Sequence, residues 1–250
     1  NFSRYVWDWI DRDPALAGVQ LGRMLADQKL EEYLLRTFMM LKATVGSNPK
    51  TLLDVSKETD GTQHISLTNL AWTADMFGDA AGDITAWIMP TTARTEILVG
   101  ALGNVEHLFN IGTVNVHKDA ENRIFITSDD PSLRERNADL TMDFWAFGLR
   151  RGAVAIQELA DFDEIYDAKG GFENIMRTYQ ANWSTKLQVL GYKFDEQQLT
   201  DSDDDFGKFA SASDAALASP FNWTTVYESH KQTAGMALRV RASTKRPKAI

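Results

Sequence analysis

The sequence predicts an α+β fold, and three observations carry that prediction. A helical apolar stripe runs through residues 13–45; residues 64–133 interleave short helices with buried strands; and past Ala138 the apolar spacing changes to period two. Helices and strands are largely segregated along the chain, which disfavours a doubly wound nucleotide-binding fold.

The first element is one long helix. Asp13 can cap it, and Pro14 suits the first helical position, where a missing N–H costs nothing. Leu34, Phe38, Leu41 and Val45 share a face; Leu21, Met24, Leu25 and Gln28 prolong the stripe toward the N-terminus, and Glu31 and Glu32 stand opposite. Gly46 and Asn48-Pro49 end it, giving a rod of roughly 45–50 Å at 1.5 Å per residue. Gly18 and Gly22 allow a break near its start.

Residues 50–63 are polar, with a helix-like Leu52-Leu53-x-Val55 patch. Ser66 caps a short helix over 66–77, whose Leu67, Leu70, Ala71 and Ala74 follow the i, i+3, i+4, i+7 rule and which stops at Gly78-Asp79. Residues 84–89 are apolar on both faces, as in a central strand. The helix opening at Pro90 is expected to bury Ala93, Ile97 and Ala101 and to end at Gly103. Residues 114–116 and 123–127 read as short strands, and Asp130-Pro131 as a turn.

The C-terminal part reads as half-buried antiparallel strands. Met142, Phe144 and Ala146 alternate with Thr141, Asp143, Trp145 and Phe147. Trp183, Thr185, Leu187 and Val189 oppose Ser184, Lys186 and Gln188, and Met236, Leu238 and Val240 oppose Arg239 and Arg241. Residues 195–219, rich in Asp, Ser and Ala, read as an insertion or long surface loop.

Bulk properties narrow the function. The 250 residues, 44% of them apolar, suffice for one large domain or two lobes sharing a core. There is no Cys, so disulfides and thiolate metal sites are excluded. No apolar run approaches the roughly 20 residues of a spanning helix. A net charge of −9 argues against a dedicated nucleic-acid binder, although base collects at Arg239, Arg241, Lys245, Arg246 and Lys248, where a solvated terminus is the favoured reading. The start, Asn1-Phe2-Ser3-Arg4-Tyr5, is neither a signal peptide nor an initiator Met, so a processed or trimmed chain is expected.

The search for chemistry returns no catalytic, cofactor-binding or metal residue. His64, His107, His117 and His230 lack metal-ligand spacing. No G-x-S-x-G elbow surrounds any Ser, and Gly78-Asp79-Ala80-Ala81-Gly82 runs helix to strand, the reverse of a phosphate loop. Asp201, Asp203 and Asp205 alternate like calcium ligands, but Phe206 and Ala212 stand where that loop needs Gly and Glu. Glu158, Asp161, Asp163 and Glu164 crowd carboxylates that an acid/base enzyme could use, though exposed turn residues are the simpler account. Trp7 and Trp9 are candidate interface anchors or covers for their own helix.

The order of segments resembles tailed-bacteriophage major capsid proteins of the Hong Kong 97 type. The passage Asp75-Met76-Phe77-Gly78-Asp79, a strand, then Met89-Pro90-Thr91-Thr92-Ala93-Arg94-Thr95 is similar to the family's helix, Gly-Asp, strand, helix run, with Pro90-Thr91 a departure from the Met-His-Ser-type turn of many relatives. Ile124-Phe125-Ile126-Thr127-Ser128-Asp129-Asp130-Pro131 resembles the strand and acidic turn closing the outer lobe. Phe147-Gly148-Leu149-Arg150-Arg151-Gly152-Ala153-Val154 resembles the returning strand pair, and Ser219-Pro220-Phe221-Asn222-Trp223-Thr224-Thr225-Val226-Tyr227 with Lys231 the passage before the last strand. The similarity covers about residues 12–243. The family's N-terminal arm and extended hairpin loop have almost no counterpart before Asp13.

That resemblance implies a spine helix with peripheral and axial lobes. It places residues 1–63 in the spine helix and its approach, 64–137 mainly in the axial lobe, and 138–250 in the return strands and peripheral lobe. It implies a non-enzymatic virion protein, assembled in the host cytoplasm, that needs no cofactor. Its copies form hexamers and pentamers of an icosahedral head around double-stranded DNA held without sequence specificity. Portal, scaffold or decoration proteins are further partners, and no membrane is involved. An encapsulin-like compartment shell is the alternative within the same architecture; an α+β enzyme using the carboxylates between Glu158 and Glu164, or a carbohydrate-binding decoration protein, are the others.

Overall fold

The computed structural model describes residues 14–100, 110–111, 114–118, 124–159, 163–169, 176–198 and 211–243. The long helix, α1, spans Pro14–Thr44 without a break at Gly22. Its 31 residues reach about 46 Å. It ends where Gly46 N–H donates to the Leu41 carbonyl at 3.0 Å and the Ser47 hydroxyl donates to that of Lys42. Glycine is required there by packing: a Cβ on Gly46 would lie 2.7 Å from the Lys42 carbonyl oxygen and 2.9 Å from the Trp145 ring. Asp13, Trp7 and Trp9 lie outside the described residues.

Eight strands form a mixed sheet. They are β1 (Leu52–Asp54), β2 (Ile84–Met89), β3 (Asn110–Ile111), β4 (Val114–Lys118), β5 (Ile124–Thr127), β6 (Arg134–Arg136), β7 (Met142–Arg150) and β14 (Gly235–Arg241), in the order β1-β14-β7-β2-β5-β4-β3. β1 runs parallel to β14, and β2 parallel to β5; the other pairs are antiparallel. β7 is the hub. One edge pairs with β14, while the other is shared by β2 near Gly148 and β6 near Asp143. Three two-stranded ribbons complete the fold: β8 (Val154–Glu158) with β11 (Thr185–Val189), β9 (Asp163–Lys169) with β10 (Met176–Asn182), and β12 (Tyr192–Phe194) with β13 (Trp223–Thr225).

Both faces of the sheet's central strands are covered. On one, α2 (Leu67–Asp75) and α3 (Thr91–Gly100) pack Leu70, Ala74, Ala93 and Ile97 against Trp87, Phe144, Met236 and Leu238. On the other, the C-terminal half of α1 lays Phe38, Met40, Leu41 and Val45 on Trp145, Phe147, Leu149 and Ala237. Alternating side chains of β7 therefore enter two separate cores. Each fully buried aliphatic or aromatic group here contributes about 1.5–3 kcal/mol.

Several expectations change in detail. β7 was read as half-buried, but Asp143 through Leu149 are all buried because α1 covers the face its alternation assigned to solvent. The Leu52-Leu53-x-Val55 patch is not helical: it pairs with the open edge of β14, and three residues are too few to repay helix nucleation. In α2 the Ser66 hydroxyl caps as expected, accepting from Asn69 N–H, yet the buried face is Asn69, Leu70, Thr73 and Ala74, with Leu67 and Ala71 exposed. Asn69 turns inward because its side-chain amide donates to the carbonyls of Thr62 and His64 at 2.7 and 2.8 Å, tying down the preceding loop. On α1 the stripe holds from Phe38 onward, but Met24 and Leu34 are exposed. Within the surface-loop stretch, Asp214–Ala218 forms a short helix, α4, joined to α1 by an Arg36–Asp214 ion pair. A parallel crossover from β2 through α3 to β5 interrupts the expected segregation of helices and strands. Ala101 and Gly103 fall outside the described residues.

Candidate functional site

The most concentrated polar chemistry lies where α1 meets the sheet. Trp145 stands between two cations, with the Lys42 ammonium 5.1 Å and the Arg239 guanidinium 5.4 Å from its ring centre. Its indole N–H donates to Glu135 Oε2 at 3.1 Å, and Glu135 also meets Lys42 at 2.8 Å and Arg239 at 3.5 Å. Burial acts to raise the Glu135 pKa. The Lys42 ammonium, the indole N–H and Arg239 together outweigh it and hold the carboxyl below its ordinary 4.5. Asp143, buried in β7, accepts from Arg239 Nε at 3.0 Å. The cations here are matched by carboxylates, so the cluster fastens α1 to the sheet.

A second joint holds β8 to α1. Lys29 pairs with Glu158 at 3.2 Å, the Tyr33 hydroxyl donates to Glu158 at 3.1 Å, and Thr185 donates to the Tyr33 oxygen at 2.8 Å. Lys29 also sits 5.3 Å from the centre of the Trp183 ring. Lys29 and Tyr33 lower the Glu158 pKa by hydrogen bonding. Of the carboxylates that an enzyme reading would combine, Glu158 is thus engaged with the helix, and Asp163 is exposed at the start of β9. Asp161 lies outside the described residues, as do Asp201, Asp203 and Asp205. Among the described residues no three His, Cys, Asp or Glu groups gather as a metal site, and no helix is long and apolar enough to cross a membrane. His64 Nδ1 meets the Arg241 carbonyl and His230 Nε2 that of Met76, each at 3.0 Å.

What remains is surface. Before its core-packed end, α1 carries Val19, Met24, Leu30 and Leu34 in the open, Leu30 at 60% exposure. Trp72 stands half-exposed on α2, and Phe221, on the short turn before β13, is 93% exposed. Apolar groups this large and uncovered mark contact surfaces when they recur over a molecule. Their chemistry is association. Sequence reasoning missed Phe221 as an exposed group, because nothing in Ser219-Pro220-Phe221-Asn222-Trp223 distinguishes which of the two aromatics turns inward.

Comparison with known families agrees with this reading. A family model described as major capsid protein 13-like (Gp13-like) matches residues 1–237. A search of curated proteins found no match.

Proposed function

The chain belongs to the major capsid protein 13-like family, and on that premise we propose that it tiles a shell of the Hong Kong 97 type. It is a head-forming capsid protein, a structural component of the virion and not an enzyme. In the proposed shell, α1 is the spine helix, residues 64–137 contribute mainly to an axial lobe, and residues 138–250 return to a peripheral lobe. Copies meet in hexamers and pentamers, and the closed shell holds double-stranded DNA without reading its sequence. Portal, scaffold or decoration proteins would attach to that lattice.

The family match along nearly the whole chain carries the proposal. Two features support it. A helix of about 46 Å packs its C-terminal part on its own sheet, while Val19, Met24, Leu30 and Leu34 are exposed. An acidic chain of net charge −9 suits a container that must release its genome, since a strongly basic wall would grip phosphate everywhere. Contacts of modest strength suffice, because closed symmetry repeats each of them many times.

Expression of the full chain is expected to yield closed shells in negative-stain electron microscopy, with five- and six-fold rings in class averages. A species that stays monomeric or dimeric at every concentration, with no particles in infected-cell lysate, would overturn the reading. Nuclease-protected DNA inside lysate particles would separate a phage head from a compartment shell filled with protein.

A further inference from the structure

We infer that the turn between β6 and β7, with Leu140 at its tip, is a point of contact between copies of this chain. The inference rests on the shell reading and names one of its contacts.

Leu140 is unfavourable in two ways for the subunit on its own. Its backbone is left-handed, at φ 64°, the only such residue other than glycine among the described residues. That conformation is worth roughly 1–2 kcal/mol against a leucine, because Cβ crowds the following carbonyl. Its side chain is also 73% exposed. Glycine or asparagine at this place would relieve the backbone and leave no apolar group in water. Met142, two residues on, is 39% exposed and adds a second apolar group at the same end of β7.

The turn is held rigid. Asn137 N–H donates to the Thr141 carbonyl at 2.9 Å and Leu140 N–H to the Asn137 carbonyl at 3.1 Å. They close a three-residue loop, 138–140, whose last position ordinarily takes glycine. Asp139 Oδ1 accepts from the Thr141 N–H at 3.1 Å and from its hydroxyl at 2.6 Å. The Asn137 side-chain amide donates to Thr141 Oγ1 at 3.0 Å, and its oxygen accepts from Arg239 at 3.5 Å, which joins the turn to the ionic cluster beside Trp145. So many bonds over-determine the backbone and keep Leu140 in its strained form. A knob fixed in this way loses little entropy when it docks.

A second copy is the occupant that fits. The chain belongs to a capsid family, and a capsid is assembled from copies of one chain. Arg136 and Asp139 stand exposed beside the tip, and among the described residues neither forms an ion pair. The rim therefore carries one charge of each sign, which complements a surface of its own kind. DNA would meet a repelling carboxylate at Asp139 and gain nothing from an apolar tip.

The chain has no Cys, so Leu140→Cys supplies a single reactive thiol. A small water-soluble maleimide is expected to label it readily in the unassembled chain. In particles assembled from this chain alone, labelling should be about tenfold slower or more, because the thiol is covered. Equal labelling in both states overturns the contact, even where another protein covers the turn in the virion. Leu140→Gly is expected to leave the thermal midpoint of the unassembled chain unchanged or higher, and to raise the concentration needed for assembly about tenfold. Leu140→Met keeps an apolar tip and should assemble near the wild-type concentration. Assembly of Leu140→Gly at that concentration, or a lowered midpoint, would mean that the side chain serves its own subunit and sinks the inference. Closed particles with a fully reactive thiol remove only this contact. A protected thiol in open oligomers that never close removes the shell and keeps the contact, and a chain that is monomeric at every concentration removes both.

Discussion

Glu135 holds three donors at once, from Lys42, Trp145 and Arg239, and this sets how the protein responds to acid. Its folded pKa lies below the ordinary 4.5. The stability it contributes is therefore complete above the ordinary glutamate range and is lost as the pH falls through the lowered folded value. Glu135→Gln should flatten the acid limb of stability below about pH 5 while lowering stability near neutrality, as measured by urea midpoints across pH. Gly148 is a second residue whose role is packing. A Cβ there would lie 2.8 Å from the ring of Trp87, which is buried in the core and cannot withdraw. Gly148→Ala is expected to cost about 1–3 kcal/mol in urea unfolding. Neither role is visible in the sequence, because Glu135 reads as one more charge in Arg134-Glu135-Arg136 and nothing near Gly148 in the chain names the distant ring packed on it.

At the scale of the element, α1 is two helices in function. From Phe38 to Thr44 it is a core helix, and the described side chains between Val19 and Glu32 are largely solvated. Leu41→Ala should cost about 2–5 kcal/mol of stability, whereas Leu30→Ala should change it by less than about 0.5 kcal/mol in the unassembled chain. Equal losses at both sites would show that the N-terminal half is covered by its own subunit. The extent of α1 was legible in the sequence, since Pro14, the 3.6-residue stripe and Gly46 are local signals. Which part of the stripe is covered was not, since that depends on where the sheet ends. The same holds for β1: its Leu52-Leu53 fits either periodicity, and only the open edge of β14 decides the matter.

For the whole molecule, the decisive feature is one sheet drawn from the entire chain. β1 comes from residues 1–63, β2 and β5 from 64–137, and β7 and β14 from 138–250. Segments joined this way share hydrogen bonds and two cores, so the isolated subunit should melt as one cooperative unit. Near-ultraviolet and far-ultraviolet circular dichroism are expected to report a single coincident transition; two separated transitions would mean that these segments are held together more weakly than the β2–β7 and β14–β7 pairings imply.

By itself, the sequence determined the local elements: the length of α1, the Ser66 cap, the central β2, the turn at Asp130-Pro131, and an order of segments that points to a capsid. These rest on backbone hydrogen bonding and side-chain period, which act within a few residues. Only the tertiary structure decided that β7 is buried on both faces, that Asn69 and Thr73 point inward, and that Phe221 points out while Trp223 does not. Burial is set by whatever packs on an element from afar, and a local period records one wet and one dry face even where a long helix has covered the wet one.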